Sequence, residues 1–154
     1  MKVFIVFSAI FMMGLTCIVY QGDMNAYMHE QETLKMIAEE AACRAALELD
    51  ESAYGMGEKR FDEYAAESSV AAYVSEARRL LAYGGKYEIS FKMSYEDDEH
   101  GYSIGNDEEF PSVIVSVRVE TDDFFRLPFL HRNSITRKSK YEIKGLEASC
   151  FLFI

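Results

Sequence analysis

The sequence predicts an α+β protein: an N-terminal transmembrane helix that continues into a long amphipathic helix, a second helix, then a small antiparallel β-sheet. Three observations carry this. Residues 3–20, VFIVFSAIFMMGLTCIVY, are eighteen in a row without a charge. Apolar side chains then recur at steps of three and four. Beyond residue 86 the apolar period falls to two.

The apolar stretch comes first. At ~1.5 Å per residue it spans roughly 27 Å as a helix, close to the hydrocarbon thickness of a bilayer. A cleaved signal peptide has an apolar region of ~7–15 residues with small residues ahead of the cut. Here the run is longer, and no Ala-x-Ala site surrounds Leu15-Thr16-Cys17. Gly14-Leu15-Thr16-Cys17 also lacks the spacing of a lipoprotein box. Residues 1–22 are therefore expected to stay as a single-pass anchor in the cell membrane, with secretion after cleavage as the alternative. Lys2 precedes the span and Asp23, Glu30 and Glu32 follow it. The positive-inside tendency then puts the N-terminus in the cytoplasm and residues 23–154 outside.

No helix breaker follows Gly22, so one rod is expected to leave the membrane as a stalk over residues 23–50. Its apolar positions are Met24, Tyr27, Met28, Leu34, Ile37, Ala38, Ala41, Ala42, Ala45, Ala46 and Leu49. The alanines predict a close-packed face, a core face before an interface. Residues 51–59, with Gly55 and Gly57, read as a turn. Residues 60–83 read as the second helix, on the stripe Ala66, Val70, Tyr73, Val74, Ala77, Leu80 and Leu81, stopped by Gly84-Gly85.

The sheet is expected within residues 86–154. Tyr87, Ile89, Phe91, Met93 and Tyr95 alternate with polar residues, and Val113, Val115, Val117 and Val119 do the same. Residues 135–144 give a weaker third strand with Tyr141 and Ile143 on its core side, and residues 146–154 either a fourth strand or an apolar tail. Strands without intervening helices imply antiparallel pairing. The helices would cover one face of the sheet and leave its Ser/Lys/Arg face wet.

Composition narrows function. The 154 residues carry a formal charge of −10, which excludes the concentrated positive surface that nucleic acid needs. The charge is uneven: +4 from Arg126 onward and −14 before it. Linker 97–110, read with Glu96, holds seven acids and His100. Calcium favours such oxygens, but Asp97-Asp98-Glu99-His100-Gly101 fails the EF-hand register, so a solvated hairpin tip is expected. His29-Glu30 has no second histidine at zinc-protease spacing, and no nucleophile elbow occurs. The sequence therefore predicts no catalytic residue, cofactor or metal.

Two further features are candidates for contacts. Cys43 and Cys150 lie outside the span; one disulfide between stalk and C-terminus, or two buried free thiols, are the alternatives. Linker 123–133, DFFRLPFLHRN, places Phe124, Phe125, Leu127 and Phe129 in a loop. They either pack under the sheet or contact a neighbouring subunit or the bilayer. Lys138 and Lys140 would join such contacts by drawing the basic C-terminal third toward an acidic neighbour.

The segment Leu34-Lys35-Met36-Ile37-Ala38-Glu39-Glu40-Ala41-Ala42-Cys43-Arg44-Ala45-Ala46 resembles the alanine-rich signature behind the membrane span of TadE/TadG-like proteins of the tight-adherence (Flp) pilus system. Ser112-Val-Ile-Val-Ser-Val-Arg-Val, the aromatic-proline loop and Ser134-Ile-Thr-Arg-Lys-Ser are similar to that family's head. The resemblance implies a pilin-like minor pilin or accessory of a type IV or tight-adherence pilus, with membrane lipid and other pilin-like subunits or assembly proteins as partners. Prepilins of this class carry a glutamate five residues after the cleavage-site glycine. Gly14 has none and the span holds no carboxylate, which suits an unprocessed, TadG-like role. The alternative function is a single-pass extracytoplasmic binding or sensing module that forms no filament.

Overall fold

A computed structural model of the chain describes residues 2–81, 88–103, 109–127 and 130–144. The elements are α1 (Lys2–Leu47), α2 (Glu51–Gly55), α3 (Glu63–Ala77) with a 3₁₀ turn at Arg78–Leu80, and strands β1 (Glu88–Glu96), β2 (Ser112–Glu120) and β3 (Ser134–Glu142). This is the α+β layout expected. Expectations for Gly84-Gly85, Phe129, Cys150 and a fourth strand lie outside the described residues.

The 46 residues of α1 form one uninterrupted helix, a rod of roughly 69 Å at ~1.5 Å per residue. Gly22 does not break it, because helical sequence continues on both sides. Its N-terminal part is one helix long and apolar enough to cross a membrane, and none of that apolar window is buried. Val3, Phe4, Ile10, Phe11, Met13 and Ile18 all stand exposed around it.

From Asp23 onward one stripe of the same helix is covered. Leu34, Ile37, Ala38, Ala41, Ala42, Ala45 and Ala46 are buried against the sheet and α3. Five of those seven are alanines, which place nothing larger than a methyl at the contact, so the helix axis can lie close to both neighbours. Arg44 ties the flank: its Nε meets Glu40 Oε1 at 2.9 Å, and its guanidinium lies 4.4 Å from the centre of the Tyr73 ring on α3.

Met24 and Met28, expected on the core stripe, are instead exposed. The covered stripe at this level is Asp23, Tyr27, Glu30 and Thr33, in unbroken phase with Leu34 and Ile37. The stalk also ends earlier than expected, at Leu47.

Residues 51–59 are more than a turn. Asp50 caps α2, its Oδ1 accepting from the Ser52 amide at 2.9 Å and the Ala53 amide at 3.3 Å. The second helix is shorter than 60–83. Arg60 and Phe61 are drawn into a bridge with the end of the stalk, where Asp50 N–H donates to Arg60 O and Asp62 N–H to Glu48 O. Asp62 then caps α3, accepting from the Ala65 amide at 3.0 Å.

The sheet has order β1-β2-β3, antiparallel throughout. Val115 faces Met93 on one side and Ser139 on the other, and Val119 faces Ile89 and Ile135. The four β2 valines are buried under α1, while Lys92, Ser116 and Lys138 form one cross-strand row on the open face. That parity also sends Arg137 to the helix side, where its Nη2 donates to Gln31 Oε1 on α1. Tyr141 and Ile143 pack half-buried against the core as expected, with Ile143 just past the end of β3.

The acidic linker departs from expectation at its start. Asp97 is fully buried rather than solvated. Its Oδ1 accepts from the amides of Glu99 (3.1 Å) and His100 (2.8 Å) and meets His100 Nδ1 at 2.8 Å. Its Oδ2 takes the Phe61 amide at 3.3 Å. Burial pushes the Asp97 carboxyl upward, but the His100 amide and ring and the Phe61 amide outweigh it, and the net shift is downward. His100 also reaches Glu63 Oε1 at the start of α3, 3.1 Å from Nε2. Its Asp97 bond raises the imidazole pKa above the ordinary 6.5.

That shift gives a pH dependence of defined sign. A histidine held more basic in the folded state contributes fully below its unfolded pKa, near 6.5, and loses the contribution as pH rises through the elevated value. The urea midpoint should therefore fall between about pH 6 and about pH 8, and His100→Gln should flatten that slope. A wild-type slope unchanged by the substitution would reject His100 as its source.

Candidate functional site

The β2–β3 connection returns to α1 where the helix leaves its apolar stretch. Asp23 lies three residues beyond Tyr20 and is buried, unusual for a carboxylate on a helix surface. Its partners account for this. The Arg126 amide donates to Asp23 Oδ2 at 2.9 Å, across 103 residues of sequence, and Arg126 Nε lies 3.6 Å from Oδ1.

One turn further, Tyr27 receives the loop's aromatic pair. Its ring is 5.6 Å from Phe124 in an edge arrangement and 5.4 Å from Phe125. Asp123 shapes the loop from within, accepting from the Phe125 amide (3.0 Å) and the Arg132 amide (3.2 Å) and meeting His131 Nδ1 at 2.7 Å. The Phe125 amide, the His131 ring and the Arg132 amide together pull the Asp123 carboxyl down to about 2.

Between helix and loop lies an open cleft of about 630 Å³. Ile18, Val19 and Gly22 line it from the helix, and Thr121 and Phe124 to Arg126 from the loop. The cleft therefore spans the border between the apolar stretch and the head. Asp23, Glu30 and Asp123 give it an acidic wall.

The expected contact residues separate here. Phe125 is buried, Phe124 packs half-buried against the core and Leu127 is half-buried, so the rings are used inside the head. Lys138 is exposed on the opposite, open face of the sheet. Lys140 is engaged within the head, with Nζ at 2.9 Å from Glu96 Oε2 and 3.2 Å from Glu142 Oε1. Its bond to Glu96 raises the Lys140 pKa, and Glu96 shifts down in return. Cys43 is half-buried on α1; its proposed partner Cys150 lies outside the described residues.

Sequence reasoning missed Asp23 and Glu30, because acids on a helix are read as solvent-facing. Extending the phase of Ile37 and Leu34 backward by steps of three and four would have found both. The Asp23 contact has a measurable consequence. Asp23→Ala should leave the Arg126 amide without its acceptor and cost about 1–3 kcal/mol locally. Hydrogen exchange at the amides of residues 124–127 should accelerate while the β2 amides stay protected, and Asp23→Asn should keep most of the protection. Equal acceleration in β2 would show that the contact supports the whole head instead.

Comparison of the chain with protein-family models, with curated proteins and with solved structures gives no match.

Proposed function

We propose that this chain is a membrane-anchored, pilin-like protein, a minor pilin or accessory of a type IV or tight-adherence pilus assembly system. One observation carries the proposal: α1 is a single rod, apolar and uncovered along its first part and alanine-packed beneath a small sheet along its second. An uncovered apolar helix needs lipid or like helices around it. Its unbroken continuation would hold the head at a fixed distance from the bilayer. No catalytic role is assigned to any residue.

In this reading the span packs in lipid or against other pilin-like helices, and the head lies outside the cell. Carbonate extraction followed by protease treatment of intact cells tests anchoring and sidedness together. The chain should remain with the membrane pellet and its head should be cleaved from outside. Release into the soluble fraction would reject the anchor, and a protected head would reject the orientation. Shearing the cells then separates the subunit from the accessory role. Recovery with sheared filaments marks a subunit; retention in the pellet of piliated cells, with pili lost in the deletion strain, marks an accessory. Retention with pili unaffected by deletion would favour a binding module that forms no filament.

A further inference from the structure

We propose that the β2–β3 loop is a second membrane contact, with the guanidinium groups of Arg126 and Arg132 seated on phospholipid phosphates of the leaflet from which α1 emerges. The inference rests on the anchoring of α1 proposed above and adds to it a defined lipid-facing surface on the head.

Depth is the first argument. At ~1.5 Å per residue, Asp23 lies about 4.5 Å beyond Tyr20 along the helix axis, and the headgroup layer on each side of a bilayer is roughly 5–8 Å thick. The loop is fixed to Asp23 by the Arg126 amide, so it sits at that level. The shared cleft agrees, since Ile18 and Val19 of the apolar stretch face the same space as Phe125 and Arg126. Exposure along the helix points the same way: Val3 is 83% exposed, but Val19, which lines the cleft with the loop, is 39% exposed.

Charge placement is the second argument. The Asp23 and Asp123 carboxylates are turned inward onto loop amides. The cationic side chains are turned outward: the Arg126 side chain is 78% exposed, and Arg132 is exposed beside His131. Asp122 is the exposed acid among the described residues of this loop. With Asp23 buried, Asp123 half-buried and the Arg126 guanidinium largely exposed although its Nε lies 3.6 Å from Asp23, the surface suits phosphate, which Arg engages through paired N–H donors. The chain's charge of −10 would otherwise hold the head away from an anionic surface. The contact must therefore be short-range, made where the helix has already brought the loop.

The test uses the full chain in phospholipid nanodiscs, with amide resonances read in the presence of a lipid carrying a headgroup nitroxide. The amides of Arg126, Leu127 and Arg132 should broaden strongly, and those of Met56 and Tyr64 should not. Arg126→Gln with Arg132→Gln should at least halve the broadening at Leu127. Added inorganic phosphate should leave it unchanged; its loss there would identify a free-anion site and overturn the lipid assignment. A water-soluble gadolinium chelate separates the two layers of the argument. If Phe11 is protected from the chelate but the loop is broadened by it and not by the headgroup lipid, the loop contact is wrong and the anchor stands. If the chelate broadens Phe11 itself, the anchor fails, and this inference fails with it.

Discussion

Replacing Asp97 with alanine should lower the folding stability of the head by about 3–5 kcal/mol, the largest effect expected of any polar substitution among the described residues. The carboxylate is fully buried and collects three backbone amides and an imidazole. Truncation leaves the Phe61, Glu99 and His100 amides without an acceptor, at about 1–3 kcal/mol for each one that water cannot reach. It also releases the turn at residues 97–101 from the start of α3. Asp97→Asn keeps one carbonyl oxygen and should recover roughly half the loss. Urea unfolding of both variants in detergent, followed by far-UV circular dichroism, reads the difference. A loss below about 1 kcal/mol in the alanine variant would mean that solvent enters the site and that the carboxylate is dispensable.

The second large effect is expected from Ile37→Ala, at about 2–5 kcal/mol. Ile37 is fully buried in the middle of the alanine stripe, and its neighbours there have no side-chain length with which to refill the space. The same closeness predicts the opposite failure at the adjacent position. Ala41→Leu adds three carbons where α1 meets its neighbours and should cost about 1–3 kcal/mol by forcing the helix away. Overpacking and cavity formation should therefore both destabilise within a single turn. If Ala41→Leu proved neutral or stabilising, the alanine face would be loosely packed, and its small residues would need another explanation, such as a partner helix.

Much of this architecture could be read from the chain because two periods are written in it plainly. The alternation of Ile89, Phe91, Met93 and Tyr95, matched by the valines of β2, fixes which side of each strand meets the helices. The uncharged stretch and the helical phase that follows it define α1 in the same way. What escaped was polar and non-local. Asp97 was read as part of a solvated acidic tip, because the amides that hold it come partly from Phe61, 36 residues away. The Arg137 contact with Gln31 likewise depends on β3 lying along α1, and no local pattern announces an arginine on a core-facing position. The Asp23 contact, spanning 103 residues, is the same kind of case. Hydrophobic periodicity reports which face is covered; it does not report which polar groups are enclosed by what covers it.

The absence of a hinge at Gly22 has a mechanical consequence. With about 36 Å of helix between Asp23 and Leu47, the head would, if α1 is anchored as proposed, be the long arm of a lever whose short arm lies in lipid. A tilt of ~20°, ordinary for a membrane helix, would swing the far end of the arm sideways by roughly 13 Å. Bilayer thickness, which sets that tilt, would then act as a steering input that chooses where the outermost face of the molecule points.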